Sequence, residues 1–433
     1  MSYLLKKILI GLAWVQIWRC KPMIIGVTGN AGKTSTKEMI AVVLRHSKTV
    51  RISAGNLNNE FGFALTILGD WDQEYYDRGS SMGLWLRVLW AGCRGLIARR
   101  DCAEIFLLEY GADRPGDIKR LATVFRPHIA VITTVGDTPV HIEFFKNTDA
   151  VAAEKANLVK VLTAVDCAIL NHDDDRVLDM KSKTEAHVVT YGFEEGSTIR
   201  ISDFKYLSND ESKPTGVAFK IHNASSFVSV EINGSLGKSQ AYAAAAAAAV
   251  GMVLGMNLTQ ISKALRQYRG PNGRLKILSG INSSTIIDDT YNASPASMRL
   301  ALETLRDLPG LRKIAVLGDM LELGKHTIPA HQDIGVLALS CADILVCVGS
   351  RAKFIADSAA KQMSKDNIFT FNVSTDAAAK VRQLIKKGDL ILIKGSQGGR
   401  MEKIVEKIMA EPERKRELLV RQSKKWFSKL TNN

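Results

Sequence analysis

The segment from Ile24 to Lys37 contains residue types that bind phosphate groups. An apolar run is followed by a glycine-rich turn, and then by Lys33 and Thr34 at the start of a helical pattern. Backbone N–H groups of such a turn point at phosphate oxygens, the lysine reaches the terminal phosphates and the threonine hydroxyl reaches Mg²⁺. Val27 stands where the strict motif has glycine, and Gly26 carries the turn instead. We therefore predict a P-loop for ATP and Mg²⁺. The predicted nucleotide contacts are Gly29, Asn30, Ala31, Gly32, Lys33, Thr34 and Ser35.

Alternating apolar and helical patterns must position this loop. Seven apolar runs are typical of buried strands, and helical patterns separate them. This alternation is typical of parallel, doubly wound sheets. We predict an α/β fold, with a P-loop central ATPase domain on a mostly parallel sheet and a smaller Rossmann-like C-terminal α/β domain. The seven runs are Ile105–Leu108, Ile129–Thr133, Ala168–Leu170, Ile286–Ile287, Ile314–Leu317, Ile344–Val348 and Leu390–Ile393.

The same patterns divide the chain. Residues 194–234 are polar and alternating, as in antiparallel hairpins, and Ala241–Val250 reads as a close-packed helix. Residues 269–274 form a linker rich in glycine and proline. The predicted units are a short N-terminal amphipathic helix (1–21), the central ATP-binding domain (22–270, with a Trp- and Arg-rich insertion at about 70–103), the C-terminal ligase domain (271–410) and a basic tail (411–433).

Charge is concentrated in three segments of this +14 chain. Residues 1–21 and 83–100 each contain four bases and no acids, and residues 411–433 contain seven bases and three acids. All three contain tryptophan, a combination that suits a membrane surface or an anionic ligand. The chain lacks a recognised nucleic-acid motif, so we expect no nucleic-acid partner. The apolar run Ile8–Trp18 has about half the roughly 20 residues of a membrane span. It predicts a helix that packs on the protein's own core or lies at the membrane.

Six scattered cysteines form no CxxC pair. We interpret them as reduced thiols of a cytoplasmic protein, and expect neither a disulfide framework nor a zinc site. The expected location is therefore the cytoplasm, with contact at the inner face of the membrane as an extension, and the expected state is a monomer.

Further motifs follow one another in a characteristic order. They are Asn58-Asn-Glu-Phe-Gly62, Glu109-Tyr-Gly-Ala-Asp113, Asn171-His-Asp-Asp174, Asp288-Asp-Thr-Tyr-Asn-Ala-Ser-Pro295, Leu317-Gly-Asp-Met-Leu-Glu-Leu-Gly324 and Lys394-Gly-Ser-Gln-Gly-Gly-Arg-Met-Glu-Lys403. With the P-loop they make the chain resemble the Mur ligases, ATP-dependent amide-forming enzymes of cell-wall synthesis, from residue 22 to about 408. Two of the motifs, at 288–295 and 317–324, favour the branch that adds D-alanyl-D-alanine to a muramoyl-peptide.

The resemblance implies a reaction and a metal site. ATP converts a carboxylate to an acyl phosphate, which an amine then attacks, and cations stabilise the phosphoryl transfer. Lys33, His141 and Lys155 are the implied catalytic residues. Thr34, Glu109, His141 and a carbamylated Lys155 are the implied Mg²⁺ ligands, since carbamylation gives lysine oxygen donors. From the local sequence alone, His141 also reads as a surface histidine, preceded by an apparent insertion, and Lys155 as a solvated helix lysine.

The resemblance also implies contacts to ATP and to both substrates. Asn171 is placed at the adenine, although an Asn/Asp-rich turn explains its surroundings equally well. Arg274, Asp289, Tyr291 and Asn292 would close on ATP from the C-terminal side. The implied substrate contacts are Asn58, Asn59, Lys394 and Arg400. The substrates would be a small-molecule or lipid-linked cell-wall precursor and an amine dipeptide.

One departure from the family pattern leaves the identity of the acceptor substrate undecided. Family members usually begin with a separate UDP-binding domain, whereas only 22 residues precede the first strand here. A related ligase with a lipid-linked, folyl or amino-acid-polymer acceptor therefore remains an alternative. A P-loop ATP-binding switch without ligase activity is the alternative from another class, but a switch has no need of the motifs at 288–295 and 394–400.

Overall fold

The computed structural model describes residues 3–53, 58–69, 71, 74–75, 81–95, 102–136, 144–310, 312–423 and 426. Its strands are β1 Met23–Thr28, β2 Val50–Ile52, β3 Ile105–Glu109, β4 Ile129–Ile132, β5 Cys167–Asn171, β6 His187–Gly192, β7 Ile199–Ser208, β8 Pro214–Asn223, β9 Ser226–Asn233, β10 Lys276–Ser279, β11 Thr285–Asp289, β12 Lys313–Gly318, β13 Ile344–Val348, β14 Ile368–Phe371 and β15 Leu390–Lys394.

The helices connect and flank these strands. They are α1 Tyr3–Cys20, α2 Lys33–Leu44, α3 Glu60–Leu68, α4 Met82–Gly95, α5 Asp117–Val124, α6 Thr148–Lys160, α7 Asp175–Leu178, α8 Lys238–Val253, α9 Leu258–Leu265, α10 Pro295–Asp307, α11 Thr327–Ala338, α12 Lys353–Ala359, α13 Ser374–Leu384, α14 Glu402–Ile408 and α15 Lys415–Leu418.

The strands form two sheets. The first has nine strands in the order β2-β3-β1-β4-β5-β6-β7-β8-β9, parallel from β2 to β7 and antiparallel at β7-β8-β9. The second has six strands in the order β10-β11-β15-β12-β13-β14, and only the β10–β11 pair is antiparallel. The predicted α/β class, the seven strand runs and the antiparallel segment are confirmed. The domain boundaries drawn from the sequence stay predictions.

Alternating burial explains the layers of the first sheet. Ile105 and Leu107 on β3 join the core that α2 and α8 cover, while Phe106 and Leu108 join the core on the opposite face. Side chains of a strand alternate between faces, so a strand buried on both sides reads as a continuous apolar run. The predicted alanine-rich helix is α8, whose small side chains pack closely against α2.

The N-terminal segment forms a helix on this core. Leu9 and Ala13 of α1 are fully buried, and α1 packs against α3 and α4. A Cβ atom on Gly92 of α4 would lie 3.0 Å from Leu12, so the two helices approach closely. The first of the two predicted environments, packing on the protein's own core, is therefore present for one face of α1. Within the described part of the chain, none of the helices has the length and apolar character needed to traverse a bilayer.

The interpretation of the cysteines was wrong for one pair. Cys20, at the end of α1, and Cys102, just before β3, form a disulfide with their Cα atoms 5.7 Å apart. They are 82 positions apart in sequence, and the parallel pairing of β1 with β3, which places Met23 opposite Ile105, brings them together. Spacing rules find only pairs that are near in sequence, so they missed this one. The other four cysteines are free thiols.

Candidate active site

The predicted P-loop has a fixed backbone geometry. Gly29 and Gly32 have φ angles of 145° and 80°, in the region that favours glycine. A Cβ atom on Gly29 would lie 2.0 Å from Thr133 Oγ1, which itself donates to the Ala31 carbonyl at 2.6 Å. Asn30 is tied to the segment after β4, because its backbone N–H donates to Thr134 O at 2.6 Å. The turn is therefore held open ahead of α2, as phosphate binding requires.

A buried carboxylate lies beside the start of α2. Glu109 ends β3, the strand next to β1, and its carboxylate lies 3.2 Å from Thr34 Oγ1. It lies 3.2 Å from the ammonium of Lys37, which is fully buried and also donates to the Ser53 carbonyl. Sequence reasoning missed Lys37. The signal that was available is its spacing of four residues from Lys33, which puts both lysines on one face of α2.

Electrostatics sets the charge states of this group. Burial raises the pKa of the Glu109 carboxyl, but Lys37, Lys33 and Arg274 together outweigh it and leave the pKa below its ordinary value. Burial lowers the pKa of Lys33, against the opposing effect of Glu109. Its ammonium donates to the Gly29 carbonyl at 2.8 Å. The group thus gathers several cations around one carboxylate, an arrangement that a bound polyphosphate would balance.

Lys155 belongs to the same electrostatic environment. It lies on α6 with only 3% of its surface exposed. Burial and the charge of Lys33 lower its pKa to about 7, although Glu154, Asp113 and Glu109 act in the opposite direction. The structure therefore does not place Lys155 in solvent. Its neighbour Glu154 accepts hydrogen bonds from Gly116 N and Ile118 N and so fixes the start of α5.

The predicted metal ligands are only partly described. Thr34 and Glu109 provide a hydroxyl and a carboxylate, the oxygen donors that Mg²⁺ prefers. An ammonium is no ligand, so Lys155 fits the set only as a carbamate. His141 lies outside the described residues. Within the residues described, no three or more His, Cys, Asp or Glu side chains are grouped as a metal site.

The acids after Asn171 serve the local fold. Asn171 Oδ1 accepts from Asp173 N at 3.1 Å, which makes the local turn. Asp173 accepts from Tyr242 Oη at 2.7 Å and from Phe193 N at 2.6 Å. Asp174 Oδ2 accepts from Thr134 Oγ1 and from the backbone of residues 135 and 136 at 2.6–2.9 Å. Asp174 therefore holds the segment after β4 that contacts the P-loop, and Asp173 ties α8 to the segment after β6.

The C-terminal sheet contributes a second buried group. Lys394 ends β15 and donates to Asp289 Oδ2 at 2.6 Å and to the Asn292 carbonyl at 2.9 Å. The guanidinium of Arg274 stacks on the ring of Tyr291, 4.1 Å from its centroid, and interacts electrostatically with Lys33 and Glu109. The predicted residues Arg274, Asp289, Tyr291 and Asn292 thus lie together, and Arg274 links them to the P-loop.

Arg400 has a different environment. It has φ 49° and forms an ion pair with Glu402. Its guanidinium lies 5.2 Å from the ring centroid of Trp426 in the tail. Arg421, also from the tail, pairs with Glu402 at 2.8 Å and donates to the Thr290 carbonyl. The described part of the tail therefore closes over the loop that contains Tyr291.

Two cavities border these groups. The larger, of about 850 Å³, lies between the two sheets and is lined by Ala31, Thr134 and Gly136 on one side and by Pro295 and Arg299 on the other. The smaller, of about 250 Å³, is lined by the predicted substrate residues Asn58 and Asn59, with Arg114 and Arg120. Asn59 also caps α3 by accepting from Gly62 N at 3.0 Å.

A P-loop at the carboxyl end of β1, a central strand of a mostly parallel sheet, facing a second α/β sheet across a cleft, defines the class of P-loop nucleotide-binding α/β proteins. Family models match both parts of the chain: residues 96–251 match the Mur ligase middle domain, and residues 273–397 match the Mur ligase glutamate ligase domain.

Individual relatives agree with the family models. The chain is 30% identical over 391 residues to the UDP-N-acetylmuramoyl-tripeptide–D-alanyl-D-alanine ligase of Bacillus subtilis, covering 90% of this chain and 76% of that one. It is 32% identical over 410 residues to the ligase of the same name from Mycobacterium leprae, covering 86% and 71%. A crystal structure of the MurF ligase of Thermotoga maritima in complex with ADP matches with a TM-score of 0.77 and 26% identity, covering 95% and 84%. The chain therefore belongs to the Mur ligase family.

Proposed function

We propose that this chain is an ATP-dependent, ADP-forming ligase that joins D-alanyl-D-alanine to a muramoyl-tripeptide in peptidoglycan synthesis. The observation that carries the proposal is the convergence of Lys33, Lys37, Glu109 and Lys155 behind one P-loop, opposite the Arg274–Tyr291 pair. The names of its relatives supply the substrates. The reaction belongs in the cytoplasm, where ATP and soluble cell-wall precursors are available.

The proposed chemistry follows from the charged groups around the P-loop. A carboxylate oxygen of the acceptor attacks the γ-phosphorus, and the bond to the β–γ bridging oxygen breaks to release ADP. The amine of the dipeptide then attacks the acyl carbon, loses a proton and expels phosphate. Lys33 stabilises the charge that develops on the transferred group, and the N–H groups of the P-loop hold the phosphates. Mg²⁺, held by Thr34 and Glu109, would neutralise phosphate charge when bound.

Lys155 enters the proposal as a carbamate. Addition of CO₂ needs a neutral amine, and burial with a pKa of about 7 supplies one at physiological pH. One proton leaves the ammonium to give the neutral amine, the carbon of CO₂ forms a bond to Nζ and a second proton leaves Nζ, so a cation becomes an anion with two oxygen donors. Lys155→Ala should lose turnover and regain part of it with added small carboxylates. A variant that retains full turnover without them would contradict this role.

The C-terminal residues position the second half of the site. Lys394 holds the loop of Asp289 and Asn292 through two hydrogen bonds, and the cation–π contact holds Arg274 toward Lys33 and Glu109. These groups belong to the opposite side of the cleft from the P-loop, so domain closure would complete the ATP site. A nucleotide switch does not require these C-terminal residues, which favours a ligase over a switch.

A lipid-linked acceptor is the second candidate. The pocket of Asn58 and Asn59 adjoins Arg120 and Glu60, and Glu60 pairs with Lys6 of α1 at 2.8 Å. The acceptor pocket is thus next to the basic, apolar N-terminal helix, where a membrane-bound precursor would be presented.

A single assay separates the candidates. Phosphate release should be measured against a panel of acceptors and amines, with the product identified by mass. The proposal predicts turnover that requires both a muramoyl-tripeptide acceptor and D-alanyl-D-alanine. Turnover only with a lipid-linked, folyl or amino-acid-polymer acceptor would assign the related ligase, and ATP hydrolysis without any product would assign the switch.

A further inference from the structure

The N-terminal helices leave an unusual surface. The described residues include fifteen exposed large apolar side chains, and eight of them lie on α1 and α4, helices of only 18 and 14 residues. Single exposed apolar residues are ordinary, whereas a concentration of this kind marks an interaction site. The eight residues of this apolar surface are Leu4, Ile8, Trp14, Val15, Trp18, Met82, Leu86 and Trp90.

The two helices form one unit. Arg19 Nη1 of α1 donates to the Gly95 carbonyl of α4 at 2.8 Å, and Gly92 packs against Leu12. Lys6 pairs with Glu60 of α3, and the Cys20–Cys102 disulfide ties the end of α1 to the segment before β3. The apolar surface is therefore presented by anchored helices, and the inward faces of those helices already serve the core.

Charge distinguishes between occupants of this surface. α1 and α4 contain five bases and no acids, and Lys7, Arg87 and Arg94 among them are exposed. A second copy of the chain would bring the same positive charge to the contact and be repelled. An anionic bilayer would attract the bases, and tryptophan and leucine side chains would enter its interfacial region. Trp18 and Trp90 are 71% and 63% exposed, and tryptophan favours that region.

We propose that α1 and α4 dock the protein onto an anionic lipid bilayer, lying in the plane of its interface. The proposal is independent of the ligase activity. It also has a geometric consequence, because Lys6 at the start of α1 pairs with Glu60, which in turn pairs with Arg120 of the smaller cavity. Docking would hold the Asn58–Asn59 pocket close to the membrane.

Vesicle cosedimentation of the full chain tests the apolar part. Vesicles of phosphatidylcholine with and without about 30% phosphatidylglycerol are compared at about 0.05 M and about 0.5 M salt. The protein should bind the anionic vesicles at low salt, and binding should fall at high salt. The triple variant Trp18→Ser, Leu86→Ser, Trp90→Ser should partition about tenfold less.

A matched control excludes a general effect of removing apolar surface. Phe227, Val336 and Val373 are 58%, 58% and 50% exposed on other elements, and Lys220 stacks on Phe227 as Arg94 stacks on Trp90. Serine at these three positions should leave vesicle binding unchanged. A second variant, Lys7→Gln with Lys21→Gln and Arg94→Gln, should weaken binding to anionic vesicles and abolish most of its salt dependence.

Three results would overturn docking. The first is an absence of binding to anionic vesicles at low salt, and the second is binding by the Trp18/Leu86/Trp90 variant equal to that of the wild type. The third is a wild-type dimer that this variant converts to monomer, which would assign the surface to a second copy. Thermal unfolding checks that each variant is folded. ATP-dependent phosphate release with soluble substrates is measured in parallel, so that a failure of the ligase proposal registers separately from a failure of docking.

Discussion

Two groups of charged side chains, most of them buried, lie near the strand ends of the two sheets, and their charge balance differs. The phosphate cluster, defined as Lys33, Lys37, Glu109 and Lys155, has three lysines around one glutamate. The C-terminal cluster, defined as Asp288, Asp289 and Lys394, has one lysine and two aspartates. Burial raises the pKa of Asp288 to about 6, and Asp289 is paired with Lys394, so this second cluster has no excess of cations.

The difference separates a binding group from a positioning group. Buried charges are costly unless they are paired, and Lys37 is paired with Glu109 whereas Lys33 donates to the Gly29 carbonyl, so Lys33 is the cation that a bound anion would complete. Within the C-terminal cluster Lys394 is paired without a ligand, because it already has Asp289 and the Asn292 carbonyl. We expect substitutions in the phosphate cluster to affect activity more than stability. We expect substitutions in the C-terminal cluster to affect stability, because that cluster holds the loop of Asp289 and Asn292.

The largest expected effect is on stability, in the C-terminal cluster. Lys394→Ala leaves Asp289 buried without its partner, which should lower the free energy of unfolding by about 3–5 kcal/mol. Urea denaturation measures it, with Lys387→Ala on the exposed surface as the control. Replacing the pair together, as Asp289→Asn with Lys394→Met, should restore part of the loss. If Lys394→Ala is as stable as the control, the C-terminal cluster does not stabilise the fold, and its proposed difference from the phosphate cluster is wrong.

The next effect is on catalysis, in the phosphate cluster. Lys33→Ala should raise the barrier to phosphoryl transfer by about 2.7–4 kcal/mol, by analogy with the loss of one stabilising donor. The fold should remain, because Glu109 keeps Lys37. Steady-state phosphate release and thermal unfolding are compared with Lys160→Ala at the exposed end of α6. Near-normal turnover would contradict a role of Lys33 in phosphoryl transfer. A loss of stability as large as that of Lys394→Ala would contradict the assignment of the phosphate cluster to binding.

A smaller effect concerns the pH dependence of stability. The pKa of Lys155 is about 7 in the folded chain against 10.5 ordinarily, so between these values the unfolded chain binds more protons. The free energy of unfolding should therefore rise with pH in that window, by up to about 1.4 kcal/mol per unit. Lys155→Met should lack this slope in bicarbonate-free buffer, and Lys160→Met should keep it. Parallel curves for all three proteins would refute a neutral Lys155.

The smallest effect tests whether Asn59, in the smaller cavity, binds the acceptor or only stabilises α3. Asn59→Ala removes the cap of α3 and should cost about 1 kcal/mol of stability. If Asn59 also binds the acceptor, the Michaelis constant for the acceptor should rise while that for ATP stays the same. Asn59→Ser keeps a capping oxygen and separates the two roles. If both variants have the wild-type Michaelis constant for the acceptor, Asn59 has a structural role alone.

Part of this molecule was predictable because its signals are local. The central strands of both sheets read as apolar runs since they are buried on both faces, and Gly29 and Gly32 mark a turn that other residues would strain. Asn59 could have been recognised as a helix cap from its position just before the apolar run of α3.

Other features depend on contacts between distant parts of the chain. Lys37 looked like an ordinary helix lysine until β3 placed Glu109 beside it, 72 positions away. Asp173 and Asp174 belong to an Asn/Asp-rich turn in the sequence, and only the structure shows that they bond to Tyr242 and to the loop after β4. Cys20 and Cys102 looked like separate thiols because nothing local to either one shows the other.

The sequence by itself determined the fold class, the glycine-rich turn before α2 and the family motifs, since each depends on residues that are neighbours along the chain. Only the tertiary structure decided which charges pair, which remain in excess, and that α1 and α4 form one basic and apolar surface. Pairing and burial depend on which strand ends and helices lie side by side, and that arrangement depends on the packing of the whole core.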